Sequence, residues 1–228
     1  MRPTRYIVGI LAIAATLATT NPLTGQDLPT VGILDFTGFM LTDPASSESL
    51  GKAVSAMLIT EMSGREGIRV IERQDLRRLL EEQALAVSGM VDDNTAIEIG
   101  RLLGAQYMVF GSATISGEMR LDMRAVDVET SEILEAQKLV GPPEDLLDIL
   151  MRASDRFAER LSLAPPSERA AMQEIPIRAT IEFSRGVDFE DKGDTEQAIA
   201  RYEAALVLHP THRDAQRALD RLRNGGGE

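Results

Sequence analysis

The chain has 228 residues, a formal net charge of −12 and no cysteine. So acidic a surface repels phosphate backbones and anionic headgroups, which speaks against nucleic acid and against peripheral membrane binding. Without cysteine there is no disulfide, and no thiol to carry acyl chains, so no lipid anchor is expected. Hydrophobic residues make up 43% of the chain with no Trp, enough for a core that is mainly aliphatic. The length suits one medium domain plus something small.

Met1, Arg2 and Arg5 precede an apolar run from Tyr6 to Ala18, and polar, turn-forming residues follow to Gln26. That is the layout of a secretory signal peptide over 1–26, and it implies a periplasmic protein. The apolar run falls short of the about 20 residues that a membrane helix needs. An uncleaved anchor is the alternative.

Val31–Phe36 is a short buried strand, and a polar loop through Asp43 and Pro44 follows it. Leu50, Val54, Met57, Leu58 and Met62 recur at helical spacing, and Gly64 and Gly67 punctuate the end. Ile68–Ile71 reads as a second strand. Gln74–Ala86 reads as a helix with Leu76, Leu79, Leu80 and Leu85 on its apolar side. Asp92 or Asp93 caps the next helix, with Ile97, Ile99, Leu102 and Leu103 inward and Gly104 just past its end. Gln106–Ile115 and Met119–Val128 form a hairpin around Ser116-Gly117-Glu118, and Glu132–Val140 adds a third strand. Leu121, Met123 and Ala125 against Asp122, Arg124 and Asp127 give that hairpin one covered and one wet face. Pro142-Pro143 then opens a helix from Glu144 to about Leu163. The order predicts an α/β layered domain over 29–163, with a mixed five-stranded sheet and flanking helices.

The blocks VGILDF, LGKAVSAMLITEM, IRVIERQDLRRLLEEQ, IGRLLGAQYMVFGSAT and LDMRAVDVETSEILEA stand in an order and spacing that resemble the CsgG family of curli secretion channels. The resemblance implies the same core fold in the outer-membrane lipoprotein activator of penicillin-binding proteins, and likeness to the amino-terminal domain of TolB. The channel inserts long membrane hairpins at two places on this core. Here Ser112–Arg120 leaves room only for a tight turn, and Ile133–Val140 runs almost directly into Pro142. A barrel strand needs about 9–11 residues each way. The resemblance therefore implies a CsgG-like core without the pore.

A polar linker over 164–176 leads to an all-α helical hairpin with a capping helix over 177–223, and a frayed tail over 224–228. The hairpin resembles a single tetratricopeptide (TPR) repeat: Gly186, Phe189, Gly193, Ala198, Tyr202, Ala205 and Pro210 follow the signature order, and Glu182 and Arg185 depart from it. Small Gly186 and Ala198 would let two helices approach. Asp194 can cap the second helix, and Thr211 the last one, whose Arg213, Arg217, Arg221 and Arg223 would face outward. One repeat does not stand alone, so it should dock on the first domain, self-associate or bind something. Its first helix would offer Thr180, Phe183, Val187, Glu190 and Asp191 to a partner segment.

Chemistry finds little support. His209 and His212 are the only histidines, and they sit at a helix end. With no cysteine beside them, no metal site is expected. No phosphate-cradling glycine motif is present, so no cofactor is expected. Asp35, Asp127 and Glu129 could pair as acid and base, but acids at strand ends are usually turn-formers. Arg73, Arg77 and Arg78 with Glu72, Glu81 and Glu82 read as surface ion pairs. The expectation is a non-enzymatic periplasmic adaptor with protein partners in the envelope, accessory to curli-type export, with no catalytic residues and no small-molecule substrate. A homo-oligomer stays open. A regulator of a peptidoglycan synthase is the alternative, and an unrecognised periplasmic enzyme a third.

Overall fold

The computed structural model describes residues 28–82, 91–165 and 175–225. The expected leader, most of the linker, Leu85 and the last three residues of the tail lie outside them. The first domain runs β1 (Thr30–Ile33), β2 (Thr37–Met40), α1 (Ser47–Ser63), β3 (Arg69–Val70), α2 (Arg73–Glu82) and α3 (Asp93–Leu103). It continues with β4 (Tyr107–Ser116), β5 (Glu118–Asp127), β6 (Ile133–Gly141) and α4 (Leu146–Arg160). Three helices complete the chain: α5 (Ile177–Asp191), α6 (Thr195–Leu208) and α7 (Arg213–Gly225).

The five expected strands form a mixed sheet in the order β3-β1-β4-β5-β6. β1 lies parallel to β3 and β4, and β4, β5 and β6 are antiparallel neighbours. The structure adds β2 where the sequence suggests a loop. β2 pairs parallel with β4 from Ser112 to Ile115, beyond the stretch of β4 that β1 uses. β1 and β2 are thus one line of chain broken at Leu34–Phe36. Ser55 of α1 mends the break: its hydroxyl accepts from Phe36 N at 2.9 Å and donates to Leu34 O at 3.0 Å. The strand escapes sequence reading because only Met40 of its four residues is buried.

α1 and α4 cover one face of the sheet, where Val109, Ala113, Leu121, Met123 and Ala125 meet a core that includes Leu50, Val54, Met57, Leu146, Leu150 and Phe157. Successive strand residues alternate sides, so Met108, Phe110 and Val126 face α3 and Leu76 of α2 on the other. α1 lies so close to β2 that a Cβ on Gly38 would stand 1.8 Å from Ser47 O, and one on Gly51 1.8 Å from Phe36 O. Asp92 caps α3 by accepting from Thr95 N at 2.8 Å, and Gly104 ends it at φ +63. Leu102, expected inside, is 58% exposed. α3 turns Ala96, Ile97, Ile99 and Gly100 to the sheet, and position 102 falls on the opposite side of the helix.

β4 and β5 meet in a tight turn, with Ser116 opposite Glu118 and Gly117 at φ +91. β6 passes through Pro142 into a single turn of 3-10 helix and then α4. α4 stops at Arg160, short of the expected Leu163, with Ser162 at φ +56. The helices α5–α7 pack as a helical module, and α5 lies against α1.

Candidate functional site

The seam between module and sheet domain gathers the residues singled out in the sequence. Thr180, Phe183 and Val187 are 0%, 2% and 5% exposed. Phe183 sits between Tyr202 and His212, with ring centroids 5.7 Å and 5.0 Å away. Glu190 accepts from Tyr202 Oη at 2.7 Å, from Gln74 Nε2 at 2.7 Å and from Arg221 at 2.7 Å. Asp191 accepts from Arg73 and Arg77. The face expected to stand open to a partner is therefore covered by the chain's own α1, α2 and α7. The reason is a matched surface on the first domain, with cations at its rim.

The packing residues within the module behave as small-for-large pairs. A Cβ on Gly186 would come 2.4 Å from the Tyr202 ring, so only glycine admits that ring. Ala198, Tyr202 and Ala205 are fully buried. Phe189 is half-buried, with Lys192 and Arg201 each 5.9 Å from its ring centre. Asp194 accepts from Gln197 N at 3.1 Å to cap α6, Gly193 takes φ +75 in the turn, and Pro210 follows the end of α6. Glu182 and Arg185, the departures from the repeat pattern, are paired: Glu182 with Arg201, and Arg185 with Asp43 of the first domain.

Arg73 is the centre of the seam. Its guanidinium is 11% exposed and spans Asp35 at 2.9 and 2.8 Å on one side and Asp191 on the other. Burial pulls its pKa down, yet the two carboxylates outweigh that and raise it, so the group is a permanent cation. Lys52 of α1 binds Asp188 at 2.8 Å and Glu48 at 3.0 Å. Burial lowers the lysine pKa, but the carboxylates leave it raised; at Asp188 burial pushes the carboxyl up, and the ammonium groups of Lys192 and Lys52 outweigh that and hold it lowered. Along α2, Arg77 pairs with Glu81 as expected, whereas Arg78 pairs with Asp75, which was not among the expected acids. On α7, Arg213 turns inward to Glu61 of α1 at 3.2 Å and Arg221 to Glu190, while Arg217 and Arg223 are exposed. α7 is thus a docked helix as well as a cap, with Ala215, Ala218 and Leu219 buried beneath it.

Two cavities of about 460 Å³ each flank the start of α7. One is walled by Ala56 and Ile59 of α1, Phe183 and Val187 of α5, and Ala218. The other lies against Leu147, Ile175 and His212. Asp214 borders both, and its Oδ1, like Nε2 of His212 and Oγ1 of Thr180, is buried with no hydrogen-bond partner. Burial pushes the Asp214 carboxyl up. Burial and the neighbouring His209 pull His212 down to about 4, so its ring is neutral. His212, not Thr211, stands at the N-cap of α7, where Nδ1 accepts from Ala215 N at 3.4 Å.

Two of the acids considered for catalysis, Asp35 and Asp127, have other partners. Asp35 holds Arg73, and Oδ1 of Asp127 accepts from Glu129 N and Thr130 N in the β5–β6 turn. Among the described residues no group of three or more His, Asp or Glu is placed to hold a metal, and no helix is long and apolar enough to cross a membrane.

No curated protein matches the chain. Among solved structures, the LpoB C-terminal domain from Salmonella enterica is 18% identical over 50% of this chain and 83% of its own, with a TM-score of 0.37. Lipoprotein GNA1162 from Neisseria meningitidis is 14% identical over 56% of this chain and 94% of its own, at 0.37. TolB from Acinetobacter baumannii is 12% identical over 60% of this chain and 29% of its own, at 0.44. Residues 18–115, a span that closes near the end of β4 and leaves out β5, β6 and the helical module, match the family described as curli production assembly/transport component CsgG.

Proposed function

We propose that the protein is a non-enzymatic adaptor of the bacterial envelope, working in the periplasm through protein–protein contacts and accessory to curli-type export or assembly. The observation that carries this reading is a family match over 18–115 on a core whose connections are short. The β4–β5 link is a single glycine turn, and β6 reaches α4 through Pro142 and Pro143. Neither connection has the about 9–11 residues each way that a barrel strand takes. The core therefore supports an accessory part beside a conduit and not the conduit itself. A leader over 1–26 supports export.

Cross-linked affinity capture of the tagged protein from envelope extract, read by mass spectrometry, tests the reading. Outer-membrane secretion components or extracellular fibre subunits are the expected catch. A peptidoglycan synthase in their place would make the protein a cell-wall regulator and leave the curli resemblance a matter of fold. Detergent-dependent solubility with conductance in bilayers would overturn the accessory role.

A further inference from the structure

We propose that the cavity beside the first turn of α7 is a binding site for a small apolar amino acid in its zwitterionic form. Asp214 takes the ammonium group, His212 and Arg217 the carboxylate, and Leu147, Ile175 and Pro210 the side chain. The inference goes beyond the adaptor reading and does not depend on it.

The cavity holds about 460 Å³, within the range of ligand sites. One wall is apolar: Leu147 of α4, Ile175 just ahead of α5 and Pro210 just after α6. The other is the start of α7, where His212, Asp214 and Arg217 line the space. An apolar hollow with a few polar groups on one side suits a small ligand with an apolar body and a polar end.

The polar groups of that wall are unmet. Among the described residues five buried side-chain atoms lack a hydrogen-bond partner, and two of them, His212 Nε2 and Asp214 Oδ1, belong to residues lining this cavity. They are complementary in kind. The His212 ring is neutral and its Nδ1 accepts from Ala215 N at 3.4 Å, so the proton sits on Nε2, a donor without an acceptor. Thr60 bonds the Asp214 carboxyl but leaves Oδ1 an acceptor without a donor. Each such atom costs about 1–3 kcal/mol. An apolar side chain at 214 would avoid that cost, as Ala215, Ala218 and Leu219 do along the same helix.

Charge selects the ligand class. Arg213 is taken by Glu61. Arg217 is exposed and, among the described residues, holds no carboxylate at ion-pair distance. The wall therefore presents one acid and one cation three residues apart, a spacing that brings them to adjoining positions on a helix. An amine alone leaves Arg217 unmatched, and a carboxylate alone leaves Asp214 so. A zwitterion answers both and adds no net charge. The positive end of the α7 dipole places the carboxylate on the His212 side.

The probe is L-leucine, added to the full chain, and the readout is the imidazole carbon–proton NMR spectrum. The chain has two histidines, so His209→Gln assigns the His212 signal. Leucine should move that signal saturably. Leucinamide lacks the carboxylate and N-acetylleucine lacks the ammonium, and each should bind about tenfold more weakly or worse. Asp214→Asn and Arg217→Gln should each weaken leucine by about the same factor. Both variants should fold, since the first removes a buried carboxylate and the second trims an exposed side chain. The absence of a saturable shift up to about 10 mM leucine overturns the proposal and leaves the cavity to water. Equal binding by either analogue, or leucine binding unchanged in either variant, overturns it as well.

Discussion

Arg73 and Asp191 meet in parallel across the seam, with Nη1 and Nη2 of the guanidinium 2.5 and 2.7 Å from Oδ1 and Oδ2 of the carboxylate, although 118 residues separate them in the chain. Both side chains are shielded, at 11% and 8% exposure. Removing one member of such a pair strands the other away from water.

Asp191→Ala should therefore cost about 3 kcal/mol in urea denaturation. Hydrogen exchange should locate the loss. Amides of α5–α7 should exchange faster while those of β4 and β5 stay protected. Equal acceleration in both parts would mean that the pair does not join two separable units.

Gly51→Ala and Gly38→Ala should each destabilise by about 3 kcal/mol, at the upper end for overpacking, because the added Cβ meets a backbone carbonyl that cannot rotate away. Gly117→Ala is the control. Open space surrounds that position, so only its φ of +91 is penalised, at about 1 kcal/mol. Thermal melts of the three variants check the ranking.

Stability should fall between pH 6.5 and pH 4 on account of His212. The unfolded imidazole takes a proton near 6.5 and the folded one only near 4, so over that window the unfolded state holds more protons. The contribution is whole above 6.5 and amounts to about 3 kcal/mol lost by pH 4. His212→Gln should flatten this part of the profile, measured as urea midpoints at half-unit steps. An unchanged slope would show that the ring takes its proton without opening the seam.

Asp214 has the opposite sign. Its folded pKa is raised, so ionisation costs stability as pH climbs past the ordinary 3.8. Asp214→Asn should gain about 1 kcal/mol at pH 7, and the gain should vanish at pH 4. Chemical denaturation at the two pH values checks it.

Most of the fold was legible because periodicity and punctuation agreed. Gly104 and Gly117 take the left-handed geometry their places suggest, and Leu50, Val54, Met57, Leu58 and Met62 are all buried. β2 was hidden because a strand along a sheet's rim needs only one buried side chain. The seam was half legible. Spacing alone picks out Phe183, Val187, Glu190 and Asp191 as a face, but not what covers it. Arg77 reads as a helix-surface pair because Glu81 stands one turn away, Arg73 because Glu72 adjoins it, and long-range partners leave no periodic trace. One signal was available: acids at the end of α5 and an arginine at the start of α2 are each misplaced for their own helix.

The core of the first domain is rich in sulfur. Met40, Met57, Met62, Met108, Met119 and Met123 are each no more than 1% exposed. While the chain is folded, these thioethers are out of reach of peroxide. Each excursion that uncovers one offers it for conversion to a sulfoxide, which is polar and does not return to a dry interior. The damage is thus a ratchet driven by opening, and the mass of each core peptide keeps a cumulative record of how often its part of the molecule has come apart.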